Sequence, residues 1–150
     1  MVLGLLLAGC SLAPGTDLYT IADGEQLPVL RERIGTFSAI NRPLRLVIHD
    51  PGTLAMVPFD IGPVDFDTEM VLLASMGATP SDGYSIRIRR IWRDGQWLRA
   101  RVERRFPPPD ALRRGKPASP YHAVVVRRCD LRVGGFTATV SADAFGQRPR

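Results

Sequence analysis

The sequence predicts a mainly β fold: a small antiparallel domain, sandwich or partly open barrel, with at most one short helix. Three observations predict it. Short runs of strand length recur along the chain, at Arg45–His49, Met70–Ala74, Tyr84–Arg93, Gln96–Phe106 and Tyr121–Arg127. Turn residues are dense, with 14 Gly and 13 Pro in 150 residues, which favours short strands over a helical bundle. Two of the runs flank Asp94-Gly95, a two-residue hairpin signal. At 45% hydrophobic the chain can bury one core. It is too short for a β/α barrel or a two-lobed dinucleotide fold.

The elements follow in chain order. Residues 11–34 carry Ser, Pro, Gly, Asp and Glu without periodicity, so residues 10–34 are read as a tether and 35–141 as the domain. Arg45–His49 is a strand, and Asp50-Pro51 starts a helix, with Asp50 as cap and Pro51 in the first position. Thr53–Met56 completes one or two turns before Pro58 and Pro63 forbid more. Met70–Ala74 is continuously apolar, as a strand buried on both faces would be. Residues 77–83 form a loop. Pro107-Pro108-Pro109, Pro117 and Pro120 exclude the next segment from a sheet interior and predict an exposed, extended loop. Tyr121–Arg127 is a valine-rich strand, Phe136–Val140 is expected to be the last one, and 142–150 is a tail.

The hairpin can be read more closely. A turn at Asp94-Gly95 opposes Trp92 to Trp97 and Ile91 to Leu98. Straight continuation would set Ile88 against Arg101 on one face. One extra residue at Arg89-Arg90 repairs the pattern, pairing Ile88 with Ala100, Ile86 with Val102 and Arg87 with Arg101. Ile86, Ile88, Leu98, Ala100 and Val102 should then be buried. The outer face collects Trp92, Trp97, Arg87, Arg99 and Arg101, with Glu103 offsetting part of the charge.

Charge is segregated. Up to residue 86 the chain holds four Arg against ten acidic residues; from residue 87 it holds sixteen basic residues against five acidic. A basic half matches an anionic partner. It also follows from composition alone, since all basic residues but Lys116 are Arg.

Leu7-Ala8-Gly9-Cys10, at the end of the apolar run Val2–Ala8, resembles the lipobox of bacterial lipoproteins. The run is too short to span a bilayer, which takes about 20 residues. The resemblance implies that residues 1–9 are a signal peptide and that Cys10 is cut free and acylated. It further implies an exported protein anchored in the envelope by lipid, at the outer membrane in a Gram-negative cell because Ser11 follows. No Lys or Arg precedes the run, where such signals carry positive charge, so the natural start is expected upstream or part of the signal is missing. Export argues against nucleic acid as the partner. With Cys10 lipidated, Cys129 has no partner for a disulfide and is expected to be a buried small hydrophobe.

Val64-Asp65-Phe66-Asp67-Thr68-Glu69-Met70-Val71-Leu72, then Gly77, then Pro80-Ser81-Asp82-Gly83-Tyr84-Ser85-Ile86, resembles the C-terminal domain of PrcB-type lipoproteins. Ser119-Pro120-Tyr121-His122 and its valine-rich strand match the end of that domain, and Gly35–Ile40 with Leu46–Ile48 is similar to its opening, so the resemblance spans roughly residues 35–127. It implies a small β-rich module that is no protease itself but associates with a surface protease complex. The loop from Phe106 to Ser119, with its proline run and Arg113-Arg114, departs from the family. A second resemblance is local. Thr79-Pro80-Ser81-Asp82-Gly83-Tyr84 is similar to the Asn-Pro-Thr-Thr-Gly-Tyr loop that chagasin-type inhibitors insert into cysteine proteases. Thr79 replaces the Asn, and Ile86 stands where those proteins carry a tryptophan. The plain alternative is a turn needing Gly83 for a positive φ.

Catalytic chemistry finds no support. His49, His122 and Cys129 carry no catalytic signature, and two histidines and a thiol are thin for zinc. Asp60, Asp65, Asp67 and Glu69 lack calcium-loop spacing. We therefore expect no cofactor, no metal and no enzyme. The expected function is protein binding in the envelope, with protease inhibition or lipid and glycan binding as alternatives. The expected sites are Cys10 for lipid, Trp92, Trp97, Arg99 and Arg101 for a partner, and Pro80, Gly83 and Tyr84 as a loop motif. The loop Thr79–Tyr84, the tryptophans and the loop Pro107–Pro120 are expected to share one exposed surface.

Overall fold

A computed structural model describes residues 18–111, 115–140 and 142–145. The expected signal peptide, Cys10 and the first part of the tether lie outside the described residues. Seven strands and one helix follow in order: β1 (Val29–Gly35), β2 (Leu44–Ile48), α1 (Pro51–Met56), β3 (Glu69–Ser75), β4 (Ser85–Asp94), β5 (Trp97–Arg105), β6 (Tyr121–Arg127) and β7 (Arg132–Val133). They form a four-stranded antiparallel sheet, β1-β6-β3-β2, and a three-stranded sheet, β4-β5-β7, in which β7 runs parallel to β5. The mainly β expectation, with one short helix, holds.

The inner strands of the larger sheet, β3 and β6, are buried on both faces, as their unbroken apolar runs require. Val47, Met70, Leu72, Val124 and Val126 meet Ile86, Ile88, Ile91 and Leu98 of the smaller sheet. Leu46, Ile48, Val71, Leu73, Ala123 and Val125 point the other way, under Leu54 and Met56 of α1 and the loop carrying Val57, Phe59 and Ile61. Helix α1 begins as expected. The Asp50 carboxylate accepts from Thr53 N–H at 2.8 Å and from its hydroxyl at 2.7 Å, and Pro51 opens the first turn.

Four segments differ from expectation. From residue 18 on, the stretch read as tether is part of the folded unit: Ile21 and Leu27 are buried, and Val29–Gly35 is a strand. Gln26 pairs with Trp92 at the edge of β4, with Leu27 N–H donating to Ile91 O at 2.9 Å. The chain then crosses to the other sheet as β1. The expected final strand Phe136–Val140 shrinks to a bridge between Thr137 and Leu46, while Arg132–Val133 pairs instead. This is the mirror crossing, with Val47 N–H donating to Thr137 O at 2.8 Å. The expected tail includes a 3-10 turn, Ala142–Phe145, whose Phe145 is buried in the second core.

The fourth difference is the hairpin register. The turn residues are Gly95-Gln96, so Asp94 pairs with Trp97, Trp92 with Arg99, Ile91 with Ala100 and Arg90 with Arg101. Gly95 has φ +60° and Gln96 does not share a positive φ, the pattern of a type II′ turn with glycine first. The bulge falls at Arg89 as expected, after which Ile88 pairs with Val102 and Arg87 with Glu103. Moving the turn by one residue changes each pairing by two positions, so every side chain keeps its face. Ile86, Ile88 and Leu98 are buried, and Ala100 and Val102 pack against them half-buried.

Candidate functional site

The outer face of the β4–β5 hairpin is built by alternation. Ile86, Ile88, Ile91 and Leu98 face the core, so Arg87, Arg90, Trp92, Trp97, Arg99, Arg101, Glu103 and Arg105 face away from it. Trp97 is 43% exposed, whereas Trp92 is half-buried beside Gln26. The two tryptophans are diagonal neighbours across the ribbon. Arg90 lies over the Trp92 ring at 5.1 Å and Arg99 by the Trp97 ring at 5.9 Å, the separation of cation–π contacts. Arg99 bonds Asp94 at 3.1 Å, and Arg89 bonds Glu103 at 2.7 Å. The Glu103 carboxyl titrates below its ordinary value, through Arg89 first and then through the charges of Arg105 and Arg101.

The expected surface of three features separates into two ends. Tyr84 and Phe106 stack edge to face at 5.7 Å where the hairpin begins and ends, Phe106 lying nine residues from Trp97, roughly 30 Å along the strand. The loops Thr79–Tyr84 and Phe106–Ala118 do meet. Thr79 pairs with Ala118, and a Cβ on Gly83 would stand 2.8 Å from the Pro107 ring. Gly83 has no positive φ, so close approach rather than a left-handed turn demands glycine there. Thr79 and Ser81 are buried, joined by a hydroxyl-to-carbonyl bond of 3.0 Å, while Pro80 is exposed.

The titratable groups fall into two settings. His122, 2% exposed, points from β6 toward the hairpin. Its Nδ1 accepts from Ile88 N–H at 2.8 Å, beside the bulge, which leaves Nε2 to donate to Glu32 at 3.0 Å. Burial holds this imidazole below its ordinary value, while Glu32 pulls the other way. The second setting is a cleft of about 700 Å³ between β2, the β5 end and the β6–β7 turn. Val47, Trp97, Val133 and Phe136 supply apolar walls, with His49, Cys129 and Arg128 among them. Cys129 is buried as expected, and burial pushes its thiol up. Burial and then Arg128 push His49 down. An activated cysteine–histidine pair needs the opposite shifts, a low thiol and a readily protonated imidazole. Sequence reasoning missed that Trp97 borders this cleft, because β7 is only two residues long and leaves no pattern.

The family model described as PrcB C-terminal matches residues 70–127, from the buried core of β3 through the end of β6. Residues 70–127 match the PrcB C-terminal family. The resemblance expected from residue 35 is thus carried by the later part of that span. No curated protein and no solved structure matches the chain. The PrcB C-terminal segment contains the whole hairpin, its bulge, His122 and the proline-rich loop, whereas β1, β2 and β7 lie outside it.

Proposed function

We propose that this chain is a non-enzymatic accessory module of the cell envelope that docks on another protein through the outer face of the β4–β5 hairpin. The PrcB C-terminal match carries the reading, because it lies on the segment that builds this face and its family name belongs to a protease-complex subunit. The docking partner is then an envelope protein, a protease subunit by the family's precedent. The lipobox-like Leu7-Ala8-Gly9-Cys10 supports export and lipid anchoring at Cys10. Trp and Arg on one solvated face support docking, since these residues dominate interface hot spots.

The inhibitor reading is weaker. A wedge loop must stand free to enter a cleft, and here Thr79 and Ser81 are buried, Thr79 paired with Ala118 and Ser81 against Gly115. The test is Ala substitution at Trp97, Arg99 and Arg101, with capture of a candidate protease subunit and thermal unfolding measured together. At least one variant should lose capture tenfold with an unchanged unfolding midpoint. Capture unchanged in all three would overturn the reading. Cys10→Ala should move the protein from the membrane fraction to the soluble one.

A further inference from the structure

The hairpin face carries a charge arrangement that its own fold does not neutralise. Arg90 and Arg101 are direct cross-strand partners, both exposed and both on the outer face. Like charges in that position repel. The two carboxylates of the face are engaged elsewhere, Glu103 by Arg89 and Asp94 by Arg99. No carboxylate among the described residues lies within ion-pair distance of Arg90 or Arg101. Arg87, Arg99 and Arg105 surround the pair on the same face. Arg90 lies 5.1 Å over the Trp92 ring, and the planar fork of a guanidinium suits bidentate recognition of a carboxylate.

We propose that the outer face of the hairpin is a carboxylate-binding surface, centred on Arg90 and Arg101, for an acidic extended segment of the partner protein. This rests on the docking reading above and gives the partner its chemistry. A peptide is favoured over a bilayer by the outline of the patch. Asp94 stands at the turn end and Glu103 toward the other, with Arg90, Arg99 and Arg101 between them. A broad anionic surface would press on both carboxylates. A strand with acids at alternate positions, about 6.6 Å apart, fits between them.

The pair also makes a prediction of opposite signs. Arg101→Glu replaces a repulsive cross-strand pair by an attractive one, so it should raise the unfolding midpoint while abolishing acid binding. A residue needed only for structure would lower both. The measurement uses the full chain and a synthetic ten-residue peptide of alternating Glu and Thr, with binding followed by Trp fluorescence. Arg90→Glu and Arg101→Glu should each weaken binding at least tenfold, and Arg33→Ala, a basic residue on β1, should leave it unchanged. Vesicles of phosphatidylethanolamine and phosphatidylglycerol form the second arm. The proposal is overturned if the peptide does not bind, if Arg33→Ala weakens it equally, if Arg101→Glu lowers the midpoint, or if vesicles bind and the peptide does not. Failure here with capture still lost in Trp97→Ala would leave the docking reading standing with a different partner chemistry. Failure of both would remove the docking face altogether.

Discussion

His122 joins the two sheets through one imidazole. It takes the Ile88 N–H at the bulge and gives its own N–H to Glu32, an arrangement open only to the neutral ring. The folded value lies below the ordinary 6.5, and His49 shifts in the same direction. The unfolded chain therefore takes up protons first. The stability that comes from holding these rings neutral is complete above 6.5 and is lost as the pH falls through that value. Asp50, Glu69 and Glu103 are also lowered, from ordinary values of 3.8 and 4.5, so their losses come at lower pH. Urea unfolding should thus show stability declining between about pH 7 and pH 5, ahead of the carboxylates. His122→Asn, whose amide oxygen can accept from Ile88, should flatten part of that decline. His122→Leu leaves the Ile88 N–H without its acceptor and should cost about 1–3 kcal/mol at pH 7.5. A pH-independent wild type over this range would contradict the assignment. The segment Ser119-Pro120-Tyr121-His122 already favours a packed or hydrogen-bonded role for the histidine over a catalytic one. Its partner Glu32 is not legible in the sequence, because that residue lies on a strand with no sequence pattern.

At the scale of elements, the hairpin shows which information a sequence carries. Alternation assigns a face to each side chain, and the isoleucines place an extra residue at Arg89-Arg90, where the bulge falls on Arg89. The turn itself was ambiguous, since Asp94-Gly95 and Gly95-Gln96 both satisfy two-residue hairpins. Asp94 decides it by staying in the strand, where it holds Arg99, while Asp23 accepts from Gly95 N–H at 2.8 Å. Gly95→Ala should cost about 1 kcal/mol or more, because φ +60° suits glycine. Deletion of Arg89 should be far worse. It turns Ile86 and Ile88 outward, forfeiting about 1.5–3 kcal/mol for each, and circular dichroism should show loss of cooperative unfolding. A deletion variant with a wild-type midpoint would refute the bulge. Strand β1 leaves no apolar pattern in the sequence because it is an edge strand exposed on both faces, and Val29–Gly35 mixes Arg and Glu with apolar residues accordingly. Its tie to the sheet is long-range: Arg31 grips Glu69 with two bonds, of 2.7 and 3.0 Å.

For the whole molecule, the segment matched by the PrcB C-terminal family is not a self-sufficient fold. It supplies β3, β6 and the hairpin, while the outer strands of the larger sheet and the cover of its second face come from flanking chain. Expressed alone, residues 70–127 would expose Val71, Leu73, Ala123 and Val125, and should give no cooperative thermal transition. A cooperative transition in that fragment would show that the flanks are dispensable. The flanks also close the sides of the sandwich, at Gln26 on β4 and Thr137 on β2, so the hairpin's outer face is a broad surface that no described segment covers. That surface is the proposed docking face. The most direct test sets a photo-crosslinking residue at position 97 and, as control, at exposed Asp60 on the far side of the larger sheet. Irradiated in cells of its own organism, the protein should give one discrete adduct from position 97 and none from position 60. Adducts from position 60 alone, or none from either, would contradict the account.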